Sequence, residues 1–476
     1  MKRRLFLSSS ALAGTWSLLS PHALAQGANS ELRVAVIGLN GRGGAHLDGI
    51  VKSKGARLVA ICDCDSKVLA KNKEKLEKDG LKVEAFADYR KLCESKEIDA
   101  VTIATPNHTH ALIAITAAAN GKHVYVEKPV SHNVWEGRMM ANAQAKYKVI
   151  IQHGFQRRSE TAWADAFEWL GKGELGKIKL ARGFCYKPRP SIGKVSGPVQ
   201  PPSEVDYDLW CGPREMAEVK RKQFHYDWHW QFPYGNGDLG NQGPHQLDVC
   251  RWALGDPMTL PPVVQSCGDR YVHDDDGEWA NTQVVVLGYD PAPIIFEVRG
   301  LPKKDVDYKA GMDTYKGQSV GNVIEYEGGW LAGGHSAGCV AYDKDGKELK
   351  KFEGGKSHFQ NWVDSIHAGK QEHMLSVENA HVSSALAHIG NISWRLGEKT
   401  APDKVREAFQ DPRAAEAVER MEAHLTANGV DLEKKGMHLG PVLTRDGMKE
   451  SFTGASAEKA NAMLKESYRK GFEIVV

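Results

Sequence analysis

Five short, almost continuously apolar runs, at residues 33–37, 58–62, 100–104, 123–126 and 149–152, alternate with stretches of helical spacing in the first third of the chain. A strand that is apolar on both faces needs cover on both, which a parallel sheet flanked by helices supplies. The pattern predicts a doubly wound parallel sheet over residues 31–153. After residue 154 the texture changes. Candidate strands at 177–186, 283–289, 294–298 and 321–326 are separated by turn residues and by irregular Pro- and Gly-rich stretches at 188–202 and 233–244. Residues 154–400 therefore predict a second domain, an open and mainly antiparallel sheet closed by helices at about 358–368 and 377–396. Residues 401–476 form a charged helical extension in which Val418, Met421 and Leu425 keep helical spacing. The fold class is α/β plus α+β, and 476 residues are too many for one small core.

The first apolar run leads straight into Gly38-Leu39-Asn40-Gly41-Arg42-Gly43-Gly44, and a helix is expected from about Ala45. Glycines here let the backbone turn tightly and approach a pyrophosphate, which the amides and dipole of the helix start hold. Strict register puts Asn40 where the second glycine of G-x-G-x-x-G belongs, so the motif gains its weight from context. Asp63 ends the second run 25 residues after Gly38, close to the spacing of an acid that accepts from adenosine ribose hydroxyls. Such an acid repels a 2′-phosphate, so NAD is expected rather than NADP. This makes the first domain a Rossmann domain, with Gly38, Asn40, Gly41, Arg42, Gly43 and Asp63 at the cofactor.

Thr105-Pro106-Asn107-His108-Thr109-His110 follows the third run and Glu127-Lys128-Pro129 the fourth. Ligands of open α/β sheets bind beyond the carboxyl ends of the strands, so Thr105, Pro106, Asn107, His110, Glu127 and Lys128 are expected at the nicotinamide end. Here the chain resembles the Gfo/Idh/MocA oxidoreductases, whose E-K-P segment is matched by Glu127, Lys128 and Pro129. The resemblance covers about residues 31–400. It implies a Rossmann domain paired with an open sheet domain, and oligomers built by packing such sheets face to face, hence a homodimer or homotetramer.

Residues 228–248, WHWQFPYGNGDLGNQGPHQLD, form the segment densest in chemistry. His245 follows Pro244 and begins a helical pattern continued by Asp248 and Trp252, placing it in the first turn of a helix, where imidazolium is disfavoured. A neutral ring there suits a general base. Members of the resembled family usually carry an Asp four residues before this histidine, whereas this chain has Asn241, which can hold a hydroxyl but cannot ionise. The expected catalytic set is thus Lys128, His245 and Asn241. Trp228, Trp230 and Tyr234 are candidates for a wall against a sugar ring, with Asp248 as a further substrate contact and Asp238 or Asp248 as a replacement acid. His225 and His229 stand four apart without a matching carboxylate motif, so no metal site is expected.

Apolar residues at 41% and charged residues at 26% match a soluble globular protein, and the net charge of +2 gives no nucleic-acid footprint. Eight scattered cysteines without C-x-x-C leave room for one or two bridges but no dense framework. Residues 1–25 read as a targeting peptide. Arg3-Arg4-Leu5-Phe6-Leu7 resembles a twin-arginine signal, residues 5–19 are modestly apolar and too short for a bilayer, and Ala23-Leu24-Ala25 has the form of a cleavage site. The expected location is periplasmic or secreted, with no membrane partner. Away from a cytoplasmic nucleotide pool the cofactor has to stay bound and be regenerated in place. Two reactions meet that constraint: hydride transfer from a sugar or polyol with a second substrate reoxidising the cofactor, or an NAD-dependent glycosidase that borrows and returns hydride, as in exported α-N-acetylgalactosaminidases that the chain also resembles. A non-catalytic, NAD-stabilised binding protein is the third alternative.

Overall fold

The computed structural model describes residues 31–197, 199–334, 338–446 and 449–476. The expected targeting peptide, residues 1–25, lies outside the described residues. The first sheet comprises β1 (Leu32–Ile37), β2 (Ala56–Cys62), β3 (Glu84–Phe86), β4 (Ala100–Ile103), β5 (His123–Val126) and β6 (Ile151–His153). They are all parallel, in the order β3-β2-β1-β4-β5-β6. This is the doubly wound order, which switches direction between β1 and β4 and opens a crevice there. β4 and β5 are buried along nearly their whole length, as their apolar runs required. The edge strand β3, three residues long and opening on the exposed Glu84, carries no such run.

The second sheet is built on β7 (Ile178–Tyr186), β8 (Val263–Asp269), β9 (Thr282–Leu287), β10 (Ile294–Arg299), β11 (Val320–Tyr326), β12 (Gly329–Gly333), β13 (Cys339–Asp343) and β14 (Glu348–Phe352). Its order is β14-β13-β12-β11-β7-β10-β9-β8, antiparallel except for the central β7–β10 pair. Side chains alternate along each strand. Ala181, Val285 and Phe296 face helices Gly243–Ala253 and Val377–Arg395, in the core that joins the two domains.

The opposite face is covered by the chain's own C-terminal part. Leu180, Val284 and Ile295 meet Ala414, Ala417, Val418, Met421 and Leu425 of helix Pro412–Ala427. Beside them, Met312 and Tyr315 pack on Phe184, Val323 and Ala332. Across β7, β9 and β10 the sheet face expected to pair with another subunit is thus occupied by the chain's own C-terminal helix. Removing residues 401–476 is expected to uncover that apolar row and drive self-association, read as a rise in sedimentation coefficient relative to the full chain.

The extension is also less purely helical than its spacing suggested. Met437–Leu439 and Leu443–Arg445 pair with β8 as extra strands, and the last residues cross to the first domain. There Glu466 bonds His132 at 2.9 Å, Tyr468 donates to Glu136 at 2.9 Å, and Phe472 joins the Rossmann core. All eight cysteines are free, so the bridges for which the composition left room are not formed. Among the described residues no helix is long and apolar enough to cross a membrane.

Candidate active site

A cleft of about 730 Å³ lies beyond the carboxyl ends of β1, β2, β4 and β5. Its floor is the loop after β1. The helix that follows starts at Arg42, three residues earlier than its pattern suggested, so Arg42 and Gly43 belong to its first turn. Gly38 has φ 84°, and a Cβ there would stand 2.8 Å from the Ala104 carbonyl carbon. A Cβ on Gly43 would stand 2.0 Å from the Gly38 oxygen. Both glycines are therefore demanded by close packing. Gly41, with φ 52°, has open space where a Cβ would point, and no side chain caps the helix start. Asn40 supplies an oxygen to the Gly41 amide at 3.1 Å.

At one end of the cleft, Asp63 follows β2 and accepts from the amides of Leu39 and Asp65, each at 2.9 Å. These bonds fix its carboxylate at the rim. A strap from the second domain crosses here: Val205 forms an antiparallel bridge with Asp65, Asp206 N–H bonds the Cys64 carbonyl at 2.9 Å, and His225 meets Asp65 at 2.9 Å. Gln223, Phe224, His225, Tyr226, Trp228 and His229 then line the cleft from above.

At the inner end, Thr105, Pro106, Asn107 and His110 line the wall after β4. Asn107 donates to Asn236 at 3.1 Å, while the ring of His110, kept neutral by burial, sits between the carbonyls of Thr105 and Pro129, at 2.8 and 2.7 Å, and donates its one N–H to either. Glu127 accepts from Arg42 at 2.7 Å and from Gln156 at 3.2 Å, with His46 also at 3.2 Å. Burial works against its charge, yet the His46 hydrogen bond and the Arg42 guanidinium hold it well below the usual carboxylate range.

Lys128 Nζ donates to the Asn241 backbone carbonyl at 2.8 Å and approaches its side-chain oxygen at 3.4 Å. Burial lowers the ammonium to about 8; Glu127 opposes that shift, and Arg42, Lys187 and Arg189 add to it. Asn241 thus holds the lysine without supplying the negative charge that would stabilise its protonated form. His245 sits in the first turn of helix Gly243–Ala253, edge-on to Phe155 at 6.3 Å. Burial, then the Lys128 charge, holds its ring neutral at ordinary pH. It lies one turn beyond Asn241 and Gln242, where the cleft lining ends.

Three expected contacts fall elsewhere. Asp248 is 1% exposed and bound by Arg158 at 2.7 and 2.8 Å and by Ser383 at 2.6 Å, so it is a structural anion rather than a substrate contact. Asp238 is likewise engaged by Arg189, at 2.6 Å, and neither acid replaces a catalytic one. Trp230 packs with Ile192, Trp279 and Trp394, and Tyr234 behind the cleft wall with Trp210 and Phe224, and neither lines the cleft. Of the three aromatic candidates only Trp228 lines it, with His229 stacked on its ring at 3.7 Å. Sequence reasoning missed His46, Lys187 and the cleft-lining role of His229. Lys187 carries a usable signal, since it is the first residue past the carboxyl end of a strand.

Two family models match the chain in succession. Residues 32–155 match an oxidoreductase-family NAD-binding Rossmann fold, and residues 167–320 the C-terminal alpha/beta domain of the same oxidoreductases. The chain belongs to the Gfo/Idh/MocA oxidoreductase family. Among curated Gfo/Idh/MocA-type relatives, it is 36% identical over 156 residues to the scyllo-inositol 2-dehydrogenase (NAD(+)) of Bacillus subtilis, covering 32% of this chain and 44% of that one. It is 33% identical over 159 residues to the myo-inositol 2-dehydrogenase of Thermotoga maritima, covering 33% and 46%. The matched stretch thus spans less than half the length of these relatives. In fold the chain is similar to an oxidoreductase from Agrobacterium radiobacter in complex with NAD+, L-tartaric acid and magnesium, with TM-score 0.53 and 16% identity over 76% of this chain and 95% of that one.

The residues present fit NAD, the cofactor of the matched Rossmann family. The open space before Gly41 and the uncapped helix start would take the pyrophosphate, Asp63 the adenosine ribose, and the wall from Thr105 to Lys128 the nicotinamide.

Proposed function

We propose that the chain is an exported NAD-dependent oxidoreductase acting on a carbinol of a sugar or polyol, with a cofactor that stays bound and is recycled in place. The observation that carries this reading is the half-buried Lys128, depressed to about 8 and held by Asn241 where the cofactor cleft meets the second domain. The inositol dehydrogenases among the relatives support a polyol or sugar as substrate class. Bound NAD supplies the hydride acceptor. Neutral Lys128 takes the proton of the substrate hydroxyl, and as ammonium it then stabilises the carbonyl oxygen. Asn241 orients both groups by hydrogen bonds, and the neutral His245 ring stands behind them as a second proton acceptor. The strap latched to Asp65 stands beside the expected adenosine end, which supports retention of the cofactor.

Because the neutral amine is the base, oxidation is expected to rise with pH and level off above about 8. Asn241→Asp places a carboxylate beside Nζ, which favours the ammonium, and the rising limb is expected to move up by roughly one pH unit or more. A pH profile of kcat/KM for both proteins reads the shift; identical limbs would remove Lys128 from the role of base. The location is proposed from residues 1–25 alone. Cell fractionation followed by N-terminal sequencing tests it, with a mature chain beginning at Gln26 expected in the periplasm or medium. The proposed homodimer or homotetramer would use a surface other than the covered sheet face, and the sedimentation measurement above reads its mass.

A further inference from the structure

The cations around the inner end of the cleft divide into two kinds. Arg42 is paired with Glu127 at 2.7 Å, Arg157 with Glu160 at 3.2 Å and Arg189 with Asp238 at 2.6 Å. Among the described residues the Lys128 ammonium bonds only the neutral oxygens of Asn241. Lys187 lines the same cleft, half-buried at the carboxyl end of β7, and has no side-chain hydrogen bond or ion pair among the described residues.

The acids lining the cleft do not balance these two ammonium groups. Glu127 is engaged by Arg42, His46 and Gln156, and Asp63 is held by backbone amides at the far end. With Asn241 in place of an acid, the inner end presents two positive charges and no free carboxylate. Lys187 is close enough to Lys128 to be among the groups that destabilise its ammonium. Like charges in a partly desolvated pocket repel, and a bound anion offsets that repulsion.

We propose that Lys187 is a specificity residue for an anionic sugar, pairing its ammonium with a substrate carboxylate while Lys128 and Asn241 meet the reacting hydroxyl. This deepens the oxidoreductase reading and rests on it for the reaction. A carboxylate fits better than a phosphate because the guanidinium groups nearby, which suit bidentate phosphate binding, are each engaged by an acid, and with Lys128 at the reacting hydroxyl the Lys187 ammonium is left as the point charge for a monoanion.

The test uses the full mature protein with its bound nucleotide and three probes: D-glucuronate, D-glucose and a hexose phosphate. Binding is read by calorimetry and turnover by the absorbance of the bound nicotinamide. Glucuronate is expected to bind at least roughly tenfold more tightly than glucose and more tightly than the hexose phosphate. Lys187→Met is expected to collapse that preference and Lys187→Arg to keep most of it, with nucleotide content equal in all three proteins. Glucose binding as well as glucuronate, a preference that survives Lys187→Met, or tighter hexose phosphate binding overturns the proposal. So does loss of bound nucleotide from Lys187→Met, which would assign the lysine to the cofactor phosphates. Lys187-dependent glucuronate binding without any change in nicotinamide absorbance would sustain the anion site and defeat the oxidoreductase reading instead.

Discussion

Replacing Lys128 by Met is expected to lower kcat for sugar or polyol oxidation about 10³-fold while the bound nucleotide stays in place. The side chain is the one titratable group that lines the inner cleft with its charge form poised near neutrality, at about 8. The other inner groups are fixed: Glu127 stays anionic between Arg42 and His46, and His229, lowered to about 3 by burial, stays neutral. Methionine keeps the length and apolar stem, so packing against the wall changes little, but it neither takes a proton nor stabilises an oxyanion. The residues that would hold the adenosine and pyrophosphate are Asp63 and the glycine turn, and Lys128 is not among them, so the nucleotide extracted per chain is expected to match that of the unaltered protein. A fall in KM-dependent terms alone, with kcat preserved, would make Lys128 a binding residue only.

The second large effect is on stability. Arg158→Met is expected to destabilise the fold by about 3–5 kcal/mol, because it leaves a buried carboxylate without its main partner. Arg158 clamps Asp248 at 2.7 and 2.8 Å and reaches Asp256 at 2.6 Å, joining the short helix turn after β6 to helix Gly243–Ala253. Arg251, 3.9 Å from Asp248, is already committed to Asp256 at 3.0 Å and to Ser383 at 2.9 Å. Although burial opposes its charge, the Arg158 guanidinium draws Asp248 down to about 2, below its usual 3.8. A carboxylate with a lowered folded pKa stabilises above its unfolded value and loses that contribution as pH falls through the folded one. Urea unfolding at pH 7 and at pH 3 checks both points: the variant is expected to unfold at lower urea at pH 7, and the gap is expected to narrow at pH 3. Equal midpoints at pH 7 would contradict this account of the buried pair.

How far the sequence reaches depends on how local the physical cause is. The sandwiched strands β1, β2, β4 and β5 are legible because burial on both faces forces unbroken apolar runs, whereas β3, with an exposed Glu84, leaves no such trace. The glycine turn is legible because Gly38 and Gly43 answer to backbone crowding within a few residues and across one neighbouring strand. Asp248 was not, because the group that consumes it, Arg158, lies 90 residues away in sequence. Trp228, Trp230 and Tyr234 cluster in sequence, yet the short helix Asp227–Trp230 turns Trp228 toward the cleft and Trp230 into the core. The C-terminal extension shows its helical spacing at Val418, Met421 and Leu425, but that spacing alone does not name the sheet face it covers.

The most direct test of the central claim is to purify the mature protein without added cofactor, identify the nucleotide released on denaturation, and follow bound-nicotinamide absorbance with free sugars, polyols and nitrophenyl glycosides. The expected result is stoichiometric NAD that a sugar or polyol reduces and a second carbonyl compound reoxidises, both steps lost with Lys128→Met. Nitrophenol release without net reduction would contradict it in favour of a glycosidase, and a protein free of nucleotide would contradict a retained cofactor altogether.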